Sequence, residues 1–239
     1  MVDKRFNVQQ GQGAYSGQVS AGTGISAEAT KVLRNTYSLL AMTLLFSAAM
    51  AGVSMAIEMS RGVSLMCMLG ALGLVWLVLP RTANSSAGIA VVFAFTGLLG
   101  LALGPTLMHY LAMSNGSQVV MQALGGTAVV FLALSGYVLT TKKDFSFMRG
   151  MLVAGLVVVI VGMVGALVAS MFGVAVSAFS LALSAAVVLL MSGFILFDTS
   201  RIVNGGETNY IMATTALYLN IYNLFTSLLH LLGAFGGDD

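Results

Sequence analysis

Apolar residues run along this chain in long continuous blocks, not in strand-like alternation, and short polar segments interrupt the blocks at intervals. The spacing of the charges sets the count of elements. Between Arg149 and Asp198 lie 48 residues without a charge; as one helix they would extend about 72 Å, against a bilayer hydrocarbon core of about 30 Å. That block must fold into two spans joined by a tight turn. The 60-residue interval between Arg81 and Lys142 divides in the same way, with the polar stretch His109 to Ser117 marking its turn. Hydropathy then predicts seven helices, over 32–57, 62–79, 87–108, 118–140, 150–169, 177–197 and 210–232. Each is close to the roughly 20 residues that a span requires, although the second is short and the seventh only moderately apolar. Leu, Ala and Met outnumber the strand formers, so the expected fold class is an all-α membrane protein with seven transmembrane helices and not a barrel.

Composition agrees. Of 239 residues, 58% are hydrophobic and 8% charged, against about 25% charged in soluble domains. The net charge of +2 is scattered, which leaves no basic stripe for a phosphate backbone and excludes nucleic acid as a partner. A lone cysteine, Cys67, excludes an intramolecular disulfide and reads as a small buried hydrophobe.

The basic residues orient the bundle. With a cytoplasmic N-terminus, that side holds Lys4, Arg5, Lys31, Arg34, Arg81, Lys142, Lys143, Arg149 and Arg201, and the other side holds Arg61. This asymmetry follows the positive-inside rule and places the C-terminus outside. Residues 1–30 are rich in Gly, Gln, Ser and Ala and lack an apolar run of signal-peptide length. They are expected to form a disordered cytoplasmic tail, either a solvated leader or a handle for a partner or a processive protease. Residues 31–235 form the membrane domain.

Ionisable groups inside spans are costly and mark candidate sites. Glu58, Arg61, Arg81 and Arg201 fall near helix ends, where interfacial anchoring accounts for them. Asp198 directly follows the apolar run Gly193–Phe197 on the sixth span, and its short side chain cannot reach far. Two placements are open: at the helix end in water, or facing inward and paired with Arg81 or Arg201. In the second case its charge would respond to pH and to the neighbouring cation, as a gate or sensor requires. On the seventh span, Asn220, Asn223, Ser227 and His230 fall within an arc of about 80°. Such a stripe belongs against other helices, as interhelical hydrogen bonds or as the wall of a wet cavity; for His230 the hydrogen bond is expected.

Gly97, Gly100 and Gly104 on the third span, the last two in GxxxG spacing, and Gly162 and Gly165 on the fifth are expected to let helices approach closely. Pro105 is expected to end or kink the third helix. The sixteen methionines fill gaps in an apolar bundle. No HExxH, GxSxG, P-loop or paired intramembrane aspartates occur, and His109 and His230 stand far apart without a cysteine partner for zinc. The residues therefore argue against an enzyme and imply neither cofactor nor metal.

Several segments together resemble the bacterial branch of the transmembrane Bax-inhibitor-motif family. They are Lys31-Val32-Leu33-Arg34-Asn35-Thr36-Tyr37, Tyr137-Val138-Leu139-Thr140-Thr141-Lys142-Lys143-Asp144, Gly205-Gly206-Glu207-Thr208-Asn209-Tyr210-Ile211 and Leu217-Tyr218-Leu219-Asn220-Ile221-Tyr222-Asn223-Leu224-Phe225. The resemblance covers about residues 31–234. It implies a seven-helix fold whose last helix is ringed by the other six. It further implies a multi-pass protein of the bacterial inner membrane that binds and restrains the FtsH protease complex within the bilayer.

Some members of the family are pH-sensitive calcium leak channels, gated by an aspartate on the sixth helix sharing a proton with one on the seventh. Asp198 matches the first of these, and the second falls on Asn220. An Asp–Asn pair has one ionisable group and half the local negative charge, so it neither shares a proton as a dyad does nor attracts a divalent cation as strongly. The resulting expectation is a binding role, with a pH-sensitive calcium or cation leak channel gated at Asp198, Asn220 and Arg81, and calcium or protons as its partners, as the alternative.

Overall fold

The computed structural model describes residues 25–236. Every long element among them is a helix: α1 (Ala27–Ala56), α2 (Arg61–Gly73), α3 (Leu79–Thr82), α4 (Ala87–Leu111), α5 (Gly116–Thr141), α6 (Arg149–Met171), α7 (Ser177–Val203) and α8 (Tyr210–Phe235). A π-helical turn, Leu74–Val78, joins α2 to α3, so Arg61–Thr82 acts as one span and the described residues contain seven long helices. Six of these are long and apolar enough to cross a membrane. The π turn sits directly before Pro80, whose missing N–H breaks the regular hydrogen-bond ladder at that point.

Helix ends follow local chemistry. The Ser26 hydroxyl accepts from the Ala29 N–H and starts α1 at Ala27, so residues 27–30, expected in the tail, belong to the first helix. Residues 1–24 of the expected tail lie outside the described residues. Asn209 caps α8, its Oδ1 accepting from the N–H groups of Ile211 and Met212. The turn expected within His109–Ser117 occupies residues 112–115.

Of the two outcomes expected at Pro105, the helix end is excluded, because α4 continues through it to Leu111. Proline supplies no N–H to the carbonyl four residues back, which is that of Leu101. The Ser54 hydroxyl of α1 donates to this carbonyl at 2.7 Å, and the Ser64 hydroxyl of α2 donates to the next one, Ala102, at 2.6 Å. The Ser54 side chain thus satisfies the one carbonyl that the proline leaves open, as a helix in hydrocarbon requires, and Ser64 adds a bond to its neighbour.

The closest packing joins α1 to α4 and α7 to α8. Around α8 the near helices are α1, α4, α5 and α7, whereas α2 lies on α4 and α6 on α7. The ring of six expected around the last helix is therefore a nearer shell with α2 and α6 placed outside it. Burial explains the division: α2 buries Ala71 alone, and α6 buries Leu152 and Val159. Helices apolar all round and yet exposed are suited to lipid on most sides. By contrast α8 buries half its residues, including Thr214, Thr215, Asn220 and Ser227. Shielded from lipid, it can carry the polar groups that keep it below the hydropathy of the other spans. In the core, Phe95 meets the Tyr218 ring edge-on at 5.4 Å between centroids. Cys67 is half-buried and not buried as expected.

The small-residue expectations divide. A Cβ at Gly100 would lie 2.3 Å from the Ser47 carbonyl oxygen, and one at Gly104 would lie 2.1 Å from Ser54 Oγ, so both positions set the α1–α4 approach. Gly97 faces the Phe46 ring and Gly162 the Leu183 side chain, while nothing lies within 4 Å of Gly165, which has no packing role.

Candidate functional site

Asp198 points inward. It lies on α7 one turn before the helix ends at Val203, and it is buried, with 8% of its surface exposed. Asn220, 7% exposed on α8, donates from Nδ2 to Asp198 Oδ2 at 2.8 Å. The second carboxylate oxygen faces Arg201, three residues on along the same helix, with Nη1 3.9 Å from Oδ1. The sequence left Arg81 and Arg201 as alternative partners. Arg81 is exposed and its guanidinium donates to the Leu77 carbonyl of its own helix, so Arg201 takes the role and Arg81 stands outside the site.

The cluster extends beyond the residues singled out from sequence. Arg201 Nη2 donates to Glu207 Oε2 at 3.0 Å, and Glu207 Oε1 accepts from the Asn209 N–H at 3.0 Å. Asn209 Nδ2 in turn donates to the Ala83 carbonyl at 3.0 Å and to Asn84 Oδ1 at 2.8 Å. An unbroken chain of polar contacts therefore runs from α8 through α7 and the α7–α8 loop to the turn between α3 and α4. The residues beside Asp198 anchor another loop: Ser200 Oγ accepts from the Phe145 N–H at 2.9 Å and donates to the Lys143 carbonyl at 3.1 Å, and Thr199 shares a hydrogen bond with Ser135 of α5. One helical turn of α7 thus ties together α5, α8 and two loops at one end of the bundle.

Sequence reasoning missed Glu207, Asn209 and Ser200 as members of this cluster. The three-residue spacing of Asp198 and Arg201 was a visible signal, because side chains at i and i+3 share a helix face. The contacts of Glu207 and Asn209 depend on the path of the α7–α8 loop, where Gly205 adopts a φ of 75°, and no local pattern reports them.

The rest of the α8 stripe does not join this site. Asn223 donates to the Leu219 carbonyl of its own helix, Ser227 is buried, and His230 Nδ1 shares a hydrogen bond with Ser184 Oγ of α7 at 2.8 Å. Between Asp198 and the Ser184–His230 bond lies a packed apolar cluster including Val187, Met191, Ile195 and Leu224. Asn220 and His230, at the two ends of the stripe, thus bond to α7, while Asn223 bonds within its own helix, and an apolar cluster separates the two interhelical bonds. Chemically the site is a single buried carboxylate held by one amide and one guanidinium, with a second carboxylate beyond the guanidinium. Among the described residues no three His, Cys, Asp or Glu side chains converge as metal ligands.

The chain is similar to a membrane protein of Vibrio cholerae, with 55% identity covering 89% of this chain and 93% of the relative. It is 51% identical to YccA of Escherichia coli, named as the modulator of FtsH protease and as an inner membrane protein, over 85% of this chain and 90% of that one. A protein of Pseudomonas aeruginosa is 45% identical over 93% of this chain and 97% of its own length. With six membrane-span helices and this inner-membrane relative, the chain is a multi-pass protein of the bacterial inner membrane. The model of the Bax1-I family, inhibitor of apoptosis-promoting Bax1, matches residues 29–237, and the chain belongs to that family.

Proposed function

We propose that this protein binds the FtsH protease complex in the inner membrane and restrains its action, working by occupancy and without catalysis. The reading draws its partner from the similarity to YccA, the modulator of FtsH protease, along nearly the full length of both chains. The structural observation that carries it is the closed polar chain from Asn220 through Asp198, Arg201, Glu207 and Asn209 to Asn84. It fastens the central helix to its neighbours and to two loops, giving a compact bundle costly to pull apart. A protease that extracts its substrates from the bilayer would engage such a bundle without readily unfolding it. In this reading the N-terminus and the loop carrying Lys142 and Lys143 face the cytoplasm, the C-terminus lies outside, α8 is the occluded helix, and the residues ahead of α1 are the handle offered to the protease.

Copurification of FtsH with the intact chain from detergent-solubilised membranes tests the proposal, and slower turnover of an FtsH membrane substrate in proteoliposomes should accompany it. A chain lacking residues 2–24 should retain its fold and lose the effect on turnover. Failure to recover the protease with the full chain, under conditions that preserve its other membrane complexes, would sink the reading. Thiol labelling of Lys143→Cys from the cytoplasmic side and of Arg61→Cys from the opposite side checks the orientation.

A second reading, a pH-sensitive calcium or cation leak, is favoured by one observation: the buried Asp198 carboxylate meets a polar partner on α8. Calcium flux into liposomes, compared between the intact chain and Asp198→Asn, discriminates the two. Absence of flux at every pH rejects the leak, and pH-dependent flux appearing in Asn220→Asp would show a latent site.

A further inference from the structure

The backbones of α1 and α5 do not approach each other within packing distance, although both lie against α8. The gap between them is a lateral crevice of about 450 Å³, floored by Tyr218, Tyr222 and Phe225 of α8 and by Leu103 and Leu107 of α4. Its walls are almost wholly apolar, and each of its hydroxyl groups is already engaged. Ser47 and Tyr218 share a hydrogen bond at 2.6 Å, Thr127 donates to the Ala123 carbonyl at 2.7 Å, and Tyr222 donates to the Leu99 carbonyl at 3.4 Å. With every hydroxyl proton already committed, an occupant finds no free donor and a wall that is almost wholly apolar, which suits hydrocarbon. Left empty, the lining would forfeit its dispersion contacts.

Length separates the possible hydrocarbon occupants. Along α5 the crevice runs from Val120, one turn inside the helix start at Gly116, to Leu132, a rise of about 18 Å at 1.5 Å per residue. Half of a hydrocarbon core of about 30 Å is about 15 Å, so the crevice is about as long as one leaflet is deep and much shorter than the whole core. A transmembrane helix of a partner or of a second copy would need a groove along the whole core. A single acyl chain from one leaflet matches the length, the narrow volume and the apolar walls.

We infer that this crevice is a binding site for one acyl chain of a membrane phospholipid, drawn from the leaflet on the side of the α4–α5 turn. The bound chain separates α1 from α5 and completes the packing of α8 on the face that no helix covers. This assignment depends on the chain spanning the membrane and is independent of any protease partner.

The test uses the full-length protein in vesicles of phosphatidylethanolamine and phosphatidylglycerol that contain a phospholipid with a photoactivatable diazirine midway along one acyl chain. After irradiation, adducts are mapped by peptide mass spectrometry. Crevice positions Ala48, Leu124 and Ala128 should be labelled several-fold more than Val158 and Val161, which lie on the exposed face of α6 where lipid exchanges freely. Filling the crevice with Ala128→Phe, or from the opposite wall with Ala48→Phe, should abolish the excess and leave α6 labelling unchanged. The wild-type distribution decides even if both variants misassemble. Crevice labelling equal to that of α6 overturns the site, and labelling below that of α6 shows another occupant and overturns it equally.

Discussion

Gly100→Ala puts the α1–α4 contact to a quantitative test. The added Cβ would stand 2.3 Å from the Ser47 carbonyl oxygen and 3.0 Å from both the Ser47 Cα and carbonyl carbon. An ordinary C···O contact is about 3.3–3.6 Å, so the two backbones must part by about 1 Å. No side-chain rotation can relieve a clash with backbone, and α1–α4 is among the most extensive helix pairs in the bundle. Overpacking of this kind costs about 1–3 kcal/mol, which outweighs the gain of about 0.5–1 kcal/mol that alanine brings over glycine in a helix interior. Gly125, with nothing within 4 Å of its Cβ position, is the control in which the gain alone remains. Gly97 falls between, because its neighbour is the edge of the Phe46 ring at 2.8 Å, which can swing aside. Reversible unfolding in mixed micelles titrated with sodium dodecyl sulfate should rank the stabilities Gly125→Ala, Gly97→Ala, Gly100→Ala from highest to lowest. A Gly100→Ala protein as stable as Gly125→Ala would refute the claim that this glycine sets the helix separation.

Four other substitutions, in three experiments, probe the polar contacts. Asn220→Leu removes the donor to a buried carboxylate and should lower stability by about 1–3 kcal/mol in the same unfolding assay, and an unchanged midpoint would show that the bond contributes nothing. A double-mutant cycle of Ser184→Ala and His230→Ala should return a coupling of about 0.6 kcal/mol, the average for an interhelical hydrogen bond in a membrane bundle; additive effects would place the two side chains apart. Asn209→Ala removes the α8 cap and its bonds to Ala83 and Asn84. It should cost about 1 kcal/mol or more, and amide exchange should quicken at Ile211 and Met212 more than in the middle of α8.

The legible part of the fold was the part fixed by lipid. Uncharged runs longer than one bilayer crossing forced the turns after α4 and α6, and the structure places them at residues 112–115 and 172–176. The seventh span was legible as polar and therefore enclosed, because Asn220 and Ser227 could not face hydrocarbon. The site was half legible. Asp198 stood out as a short carboxylate after an apolar run, and Asn220 as part of a stripe, but the choice between Arg81 and Arg201 required coordinates. That α4 would not end at Pro105 was not legible, because the Ser54 and Ser64 hydroxyls that bond its backbone there come from helices remote in sequence. Gly165 failed for the converse reason: small residues permit close approach but do not say whether a partner is there.

The number of long helices and the helical class were thus determined by the sequence itself, since the energy of placing charge and backbone in hydrocarbon depends on each segment's own composition and length. Which helices touch, which carboxylate neighbour is chosen and where a crevice remains were decided only by the tertiary structure. Within the membrane every apolar face is acceptable to lipid, so hydropathy cannot distinguish a face that packs on a helix from one that does not. The α1–α5 gap and the chain of polar contacts from Asn220 to Asn84 both arise from the way helices far apart in sequence are set side by side.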